Sequence, residues 1–376
     1  MHKICYVFTV PVSVRAFFIS QLKYLSEHDY DVTVICSMDG DLQKEIGCGV
    51  KYVPVSIPRG LSLWGTVTAI KDLWRVFHKE QYDLVQYSTP NAAFCASIAA
   101  KLAGIKRRNY HLMGFRYLSE SGLRRQILII LEKITCKLST SIECVSPSNL
   151  ELGRKEKILT GLDATVVWHG SSGGVDLNRF DYQKRKIWRK ALRTELGYSD
   201  DEFVFGFVGR ITKDKGIQEL LEAFFGVFDS KLLLVGNLED DGSLDPAFWA
   251  KAVKGDSVLV HPFVPDVERY FAAIDVLVLP SYREGFGNVV IEAAAMGVPA
   301  IVSNIPGPID AVIPDKTALI VPVQNAEQLR NAMMQIRYSG CCEEMGRAAV
   351  EYAKSHFNSC VLNQKILERK RQLLSR

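Results

Sequence analysis

From residue 3 onward the chain repeats one pattern: a short apolar run, a polar turn, a stretch with apolar residues at helical spacing, then another apolar run. Runs such as Lys3-Ile-Cys-Tyr-Val-Phe8 and Asp275-Val-Leu-Val-Leu-Pro280 carry no polar face, so each such strand must be covered on both sides. Strands joined through helices lie parallel, and the pattern dictates an α/β fold of doubly wound parallel sheets with helices on both faces. Strands are expected near 3–8, 32–36, 51–55, 83–87, 107–111, 141–145 and 164–168, then near 203–208, 231–235, 257–260, 276–279, 299–302 and 318–321. Helices are expected near 13–28, 63–79, 91–103, 121–138 and 149–158 in the first half. In the second half they fall near 216–228, 246–253, 266–273, 288–296 and 325–337, with two more closing the chain.

A chain of 376 residues is long enough for two cores. The segment His169-Gly-Ser-Ser-Gly-Gly-Val-Asp176 has three glycines and two serines, which allow backbone angles that other residues resist, and the hinge is placed there. The expected division is 1–168, a hinge at 169–180, a second domain at 181–355 and a terminal helix within 356–376. Ligands of open α/β sheets bind beyond the carboxyl ends of the strands, so two such domains can hold a substrate between them.

Composition narrows the function classes. Nine cysteines, several inside apolar segments and none at metal-ligand spacing, point to a reduced cytoplasmic protein without a metal centre. No signal-peptide pattern and no membrane-spanning run is expected. Residues 1–168 carry 21 Lys and Arg against 15 Asp and Glu, residues 169–355 carry 20 against 26, and residues 356–376 carry 5 against 1. A basic first domain and tail suit a phosphate-bearing substrate or an anionic membrane surface, and equally an ordinary solvated surface; no nucleic-acid partner is expected. Asp39-Gly-Asp41 could mimic a metal-binding pair but reads as a turn.

Two motifs carry the chemistry. The first is Ser281-Tyr-Arg-Glu284-Gly-Phe-Gly-Asn288-Val-Val-Ile-Glu292, between an apolar strand and a helix. Its glycines let backbone approach a ligand closely, and the first amides of the helix can receive a diphosphate. Glu284 and Glu292 can both accept hydrogen bonds from sugar hydroxyls; otherwise Glu284 caps the helix and Glu292 is solvated. The second is Phe205-Gly-Phe-Val-Gly209-Arg210-Ile-Thr-Lys-Asp-Lys215-Gly216, a strand ending in glycine with two cations five residues apart. Arg210 and Lys215 can neutralise the phosphates of a leaving nucleoside diphosphate, or belong to a charged loop.

Together these stretches resemble the retaining GT-B glycosyltransferases of family 4 (group 1), of the kind that build capsule and O-antigen polysaccharides. Glu284 and Glu292 match the family's Glu-x7-Glu pair, Gly285-Phe286-Gly287 the loop between them, and Arg210 and Lys215 its cations. The resemblance implies two Rossmann-like domains facing each other across a cleft, with 1–168 on the acceptor side, 181–355 holding a nucleotide-sugar donor and the terminal helix crossing back. It implies that Glu292 holds the donor ribose, Glu284 the transferred sugar, and that Gly209, Val264, Gly285, Phe286, Gly287, Asn288 and Val289 line the donor site. It also implies that His111, at the end of a strand, faces the donor sugar, that UDP is the nucleotide, and that no metal or other cofactor is required. The acceptor would be a saccharide or lipid-linked oligosaccharide, met on the inner face of the membrane. The first loop departs from the family: Phe8-Thr-Val-Pro-Val-Ser13 stands where Gly-Gly is usual. An epimerase or phosphorylase-like enzyme on the same fold, or an inactive scaffold protein, are the alternatives. The basic residues Arg107, Arg108, Arg116, Arg124, Arg125, Lys133 and Lys137 surround a helix rich in Ile and Leu, a pattern that suits either a lipid surface or a buried helix face.

Overall fold

Every strand pairing among the described residues is parallel, as runs without a polar face require. The computed structural model describes residues 1–60, 62–239 and 244–375. Two compact units divide the chain, Met1–Gly173 with Ser359–Arg376, and Gly174–Asn358.

The first unit contains β1 (His2–Val7), α1 (Pro11–Phe17), α2 (Ile19–Ser26), β2 (Tyr30–Cys36), α3 (Leu42–Ile46), β3 (Val50–Pro54), α4 (Leu63–Glu80), β4 (Leu84–Ser88), α5 (Pro90–Leu102), β5 (Arg107–Leu112), α6 (Gly122–Leu138), β6 (Ser141–Cys144), α7 (Pro147–Lys155) and β7 (Ala164–Val166). Its sheet runs β3-β2-β1-β4-β5-β6-β7, so the chain reverses direction across the sheet between β1 and β4. Alternate residues of β1 and β2 feed two cores. Cys5, Val7, Val85, Tyr87 and Tyr110 pack under α4 and the alanine-rich α5, while Ile4, Tyr6, Phe8 and Leu84 pack against Val14, Leu22 and Leu25. The chain's last helix, Ser359–Ser375, joins this second core through Leu367, Leu373 and Leu374.

The second unit contains α8 (Arg185–Leu196), β8 (Phe203–Val208), α9 (Ile217–Phe224), β9 (Ser230–Val235), α10 (Pro246–Ala252), β10 (Val258–His261), α11 (Val267–Ala273), β11 (Val276–Leu279), α12 (Asn288–Ala295), β12 (Ala300–Ser303), β13 (Ala318–Val321), α13 (Ala326–Tyr338) and α14 (Cys342–His356); the last helix of the chain is α15. Its sheet order is β10-β9-β8-β11-β12-β13, again with the fourth strand returning beside the first. Each unit is therefore a doubly wound, Rossmann-like sheet.

Three features depart from the expected elements. The expected helix over 13–28 is two, broken at Phe18, whose ring turns into the core against Phe8 at 4.5 Å between centroids. Helix α3 is a single short turn begun by Asp39, which accepts from the amides of Asp41 and Leu42 and pairs with both terminal nitrogens of Arg15 at 2.8 and 2.9 Å. Asp39-Gly-Asp41 is thus a turn. Helix α8 is absent from the expected elements, although Gly197 ends it in the left-handed conformation at φ +75°.

What anchors α8 is a buried arginine. Arg193 is fully buried; its guanidinium donates to the carbonyls of Ala273, Ser199, Asp200 and Glu202 and to Asp275 Oδ2 at 2.8 Å. Asp275 also accepts from Arg189 and from the amide of Val204, so the start of β11, the start of β8 and α8 share one carboxylate. Removing one partner of such a pair leaves an uncompensated charge. Arg193→Met should therefore destabilise the second unit by about 3–5 kcal/mol, read as a lower urea midpoint; a midpoint within error of wild type would refute this role.

Candidate active site

β8 and β11 are neighbours whose outgoing chains part to opposite sides of the sheet, and their carboxyl ends form its switch point, where doubly wound folds bind ligands. Both sequence motifs emerge there. After β8 the chain runs through Gly209, Arg210 and a tight turn at Lys213–Lys215 to Gly216, which adopts φ +71°. A Cβ on Gly216 would sit 2.2 Å from the carbonyl oxygen of Pro280, so only glycine lets this loop lie against the end of β11.

That approach puts Lys215 Nζ 2.5 Å from Glu284 Oε1, and Ser281 Oγ donates to the same oxygen at 2.9 Å. Neither charge is fully solvated: the side chains are 17% and 14% exposed. Asp214, between two lysines, braces the loop. Its carboxylate accepts from Thr212 Oγ1 and pairs with Arg283, and its carbonyl accepts from the amide of Tyr282 at 2.9 Å. Burial opposes ionisation of Asp214, but Thr212, Arg283, Arg210 and Lys215 outweigh it and hold the carboxyl below its ordinary value. Arg210 is half exposed and donates to Glu239 at 2.7 Å.

Helix α12 starts at Gly287, at φ +89°, and no side chain caps its first turn. Asn288 and Val289 open that turn and Glu292 lies one turn further on, half-buried. Burial pushes the Glu292 carboxyl up to about 7, with Arg179 opposing and the Glu268 carboxylate adding to the rise. Phe286 is buried with its ring edge on Phe357, which leaves the backbone of Gly285-Phe286-Gly287 as the part able to meet a ligand. Val264, also buried, follows β10; beside it the amide of Phe263 donates to Asn237 Oδ1, joining the loops after β9 and β10. Gly209 receives the next link, its amide donating to Val235 O at 2.9 Å.

The second unit thus brings together Gly209, Arg210, Lys215, Glu284 and the start of α12. His111 belongs to the first unit, near the end of β5, buried, with neither ring nitrogen hydrogen-bonded. Sequence reasoning passed over Ser281, Thr212, Asp214, Asn237 and the Arg179–Glu268 pair, which support the motif residues. The signal available was local: Ser281 opens the glutamate motif and Asp214 interrupts the lysine pair.

Comparison with known proteins bears on the family and the fold. The family model "Glycosyl transferases group 1" matches residues 189–356 and "Glycosyltransferase Family 4" matches residues 16–179. The capsular polysaccharide biosynthesis glycosyltransferase CapM of Staphylococcus aureus is 33% identical over 310 residues, 80% of this chain and 79% of the relative. The UDP-Gal:alpha-D-GlcNAc-diphosphoundecaprenol alpha-1,3-galactosyltransferase of Escherichia coli is 26% identical over 348 residues, 89% of this chain and 87% of that one. Among solved structures, Anabaena HepE in complex with UDP and glucose superposes with a TM-score of 0.79 at 19% identity, covering 99% of this chain and 100% of its own. That likeness shows the GT-B fold.

The state of Glu292 makes stability depend on pH. Its folded pKa lies above the unfolded value of about 4.3, so the native chain keeps a proton that the unfolded chain has lost, and stability falls as pH rises from the ordinary carboxyl range to about 7. Glu132, likewise pushed up to about 7 by burial, acts in the same window. Glu292→Gln should cancel only the share due to Glu292, about 2 kcal/mol, seen as a smaller loss of urea stability between pH 5 and 7.5 than in wild type. An identical loss in the variant would mean that this carboxyl ionises normally.

Proposed function

The chain belongs to the group 1 glycosyltransferases, and from that premise we propose that it transfers a sugar, with retention of configuration, from a UDP-linked donor to a lipid-linked saccharide in the assembly of a surface polysaccharide. The observation that carries this reading is the meeting of Lys215 with Glu284 at the switch point of the second sheet. A cation suited to phosphate and a carboxylate suited to a sugar hydroxyl stand one hydrogen bond apart, where a diphosphate sugar has its junction.

In this reading Arg210 and Lys215 neutralise the diphosphate as it leaves, helped by backbone from Gly285 to Val289 at the start of α12. Glu284 holds the transferred sugar, Glu292 the ribose, the backbone at Val264 the base, and His111 a sugar hydroxyl near the reacting carbon. The bond from the anomeric carbon to the phosphate breaks while the acceptor oxygen bonds to the same face, and the leaving phosphate takes the acceptor's proton. The two cations do the work a metal would do. The UDP bound in HepE and the UDP-galactose in the name of the Escherichia coli relative favour this nucleotide. The capsular role named for the Staphylococcus aureus relative and the diphosphoundecaprenol acceptor of the Escherichia coli one favour a lipid-linked acceptor.

Surface chemistry of the first unit supports work at the inner face of a membrane. No helix among the described residues is long and apolar enough to cross one. Leu128 of α6 is core, but Leu123, Ile127, Ile130 and Ile134, spaced to share one helix face, are exposed and flanked by Arg124, Lys133 and Lys137. Leu63, Trp64 and Val67 are exposed on α4, and both helices pack against α5. Such a face can enter the headgroup layer, each nearby cation adding about 1 kcal/mol on anionic lipid.

Two measurements follow. Arg210→Ala and Lys215→Ala should each lower turnover by ~10²–10³, about 2–4 kcal/mol of lost leaving-group stabilisation, while EDTA leaves wild type unchanged; near-normal variants or an EDTA-abolished wild type would defeat the assignment. In co-sedimentation, wild type should bind anionic vesicles at low salt and release at high salt, and Ile127→Asp/Ile130→Asp should not bind. Equal sedimentation of that variant would remove α6 from the contact.

A further inference from the structure

Strands β4, β5 and β6 carry two rows of polar side chains on the face that α15 covers. In-register residues of parallel strands stand side by side. Gln86 pairs with Asn109 and Asn109 with Ser141; two residues further on, Ser88 pairs with His111 and His111 with Glu143. The first row is satisfied: Ser141 donates to Asn109, Asn109 to Gln86 and Lys370 of α15 to Gln86, at 2.8, 2.9 and 2.6 Å. In the second row Lys370 Nζ lies 2.8 and 3.1 Å from the two oxygens of Glu143, and Arg369 Nε is 3.4 Å away.

His111, beside that clamped carboxylate and only 7% exposed, has neither ring nitrogen hydrogen-bonded, although Phe18 fixes the ring edge-on at 5.4 Å. A buried imidazole without partners needs an explanation. A cavity of about 10 Å³, lined by Gln21, Gln86, His111 and Glu143 among others, adjoins it, and Gln21 Oε1 is unpartnered too. That is the room and the polar lining that one water requires.

We propose that Lys370 and Glu143 are positioning residues for His111: a water in this cavity links the clamped carboxylate to one ring nitrogen, fixing the tautomer whose other nitrogen meets the sugar. The last clause rests on the role given to His111 above. A bare carboxylate beside imidazole would draw a second proton onto the ring; Lys370 cancels that pull and leaves the orienting effect. Burial lowers the His111 pKa to about 4, Glu143 opposing and Lys370 assisting. The charged groups around the ring are Glu143 of β6 and Arg369 and Lys370 of α15. Tyr6 of β1 and Cys144 of β6 stay neutral, burial raising both, and α2 contributes the uncharged Gln21.

The test is a nitrogen-15 NMR titration of the His111 ring in the full chain, beside the pH profile of kcat/KM. Wild type should hold one tautomer and titrate near 4. Lys370→Met should raise that value by a unit or more and move the acid limb of kcat/KM with it, and Lys370→Arg should restore both. Glu143→Gln/Lys370→Met, neutral and close in volume, keeps the test open if the single variant does not fold: the ring should stay neutral but populate both tautomers, with kcat falling at little change in KM. A wild-type titration and tautomer in the folded variants would overturn the proposal. Should the ring respond as expected while His111→Asn retains full activity, the positioning stands and the sugar contact fails.

Discussion

A parallel sheet covered on both faces admits polar side chains almost nowhere except at the carboxyl ends of its strands, and the rest of this structure follows from that restriction. In both sheets the fourth strand returns to lie beside the first, which opens a switch point between β1 and β4 and another between β8 and β11. The second collects Lys215, Ser281 and Glu284 because it is the place where two loops leave the sheet in opposite directions. At the first, Thr9 Oγ1 and Thr89 Oγ1 lie 2.8 Å apart and the Thr9 amide donates to Thr89 Oγ1, which ties the two strand ends together.

Buried charge appears in three settings with three effects. At Arg193–Asp275 every guanidinium nitrogen donates and the pair ties a helix to two strand starts, a structural role. At Lys215–Glu284 the pair is half-buried in a loop whose partners can be exchanged for a ligand's phosphate and hydroxyl. At Lys370–Glu143 the pair lies within the sheet face itself, an exception to the restriction above, beside a histidine that it leaves unbonded. Coulomb attraction is common to all three; what differs is how completely the remaining donors and acceptors are filled.

The exposed apolar face of α6 illustrates a limit of pattern reading. Ile127 and Leu128 are equally apolar, yet one is exposed and the other is core. Periodicity says that a helix has an apolar stripe but not how much of that stripe its neighbours cover, because coverage depends on α5 and on the loop before α6.

Strand positions, the parallel sheets and the two donor motifs were legible in the chain, because apolar runs, glycines and charges at short spacing act locally and leave their mark within a few residues. The short α3, the break at Phe18 and the anchor of α8 were not, since a five-residue turn carries no period, Phe18 is an ordinary helix residue until Phe8 draws it inward, and Arg193 of α8 is held by a carboxylate 82 residues away. Likewise Glu284 could be read as a ligand residue, but that Lys215 reaches it depends on Gly216 passing under Pro280, 64 residues later in the chain. The sequence by itself determined which residue types stand at strand ends; tertiary structure alone decided which of them meet, because contact across crossover connections is set by sheet order, and helix packing finds its partners through space rather than along the chain.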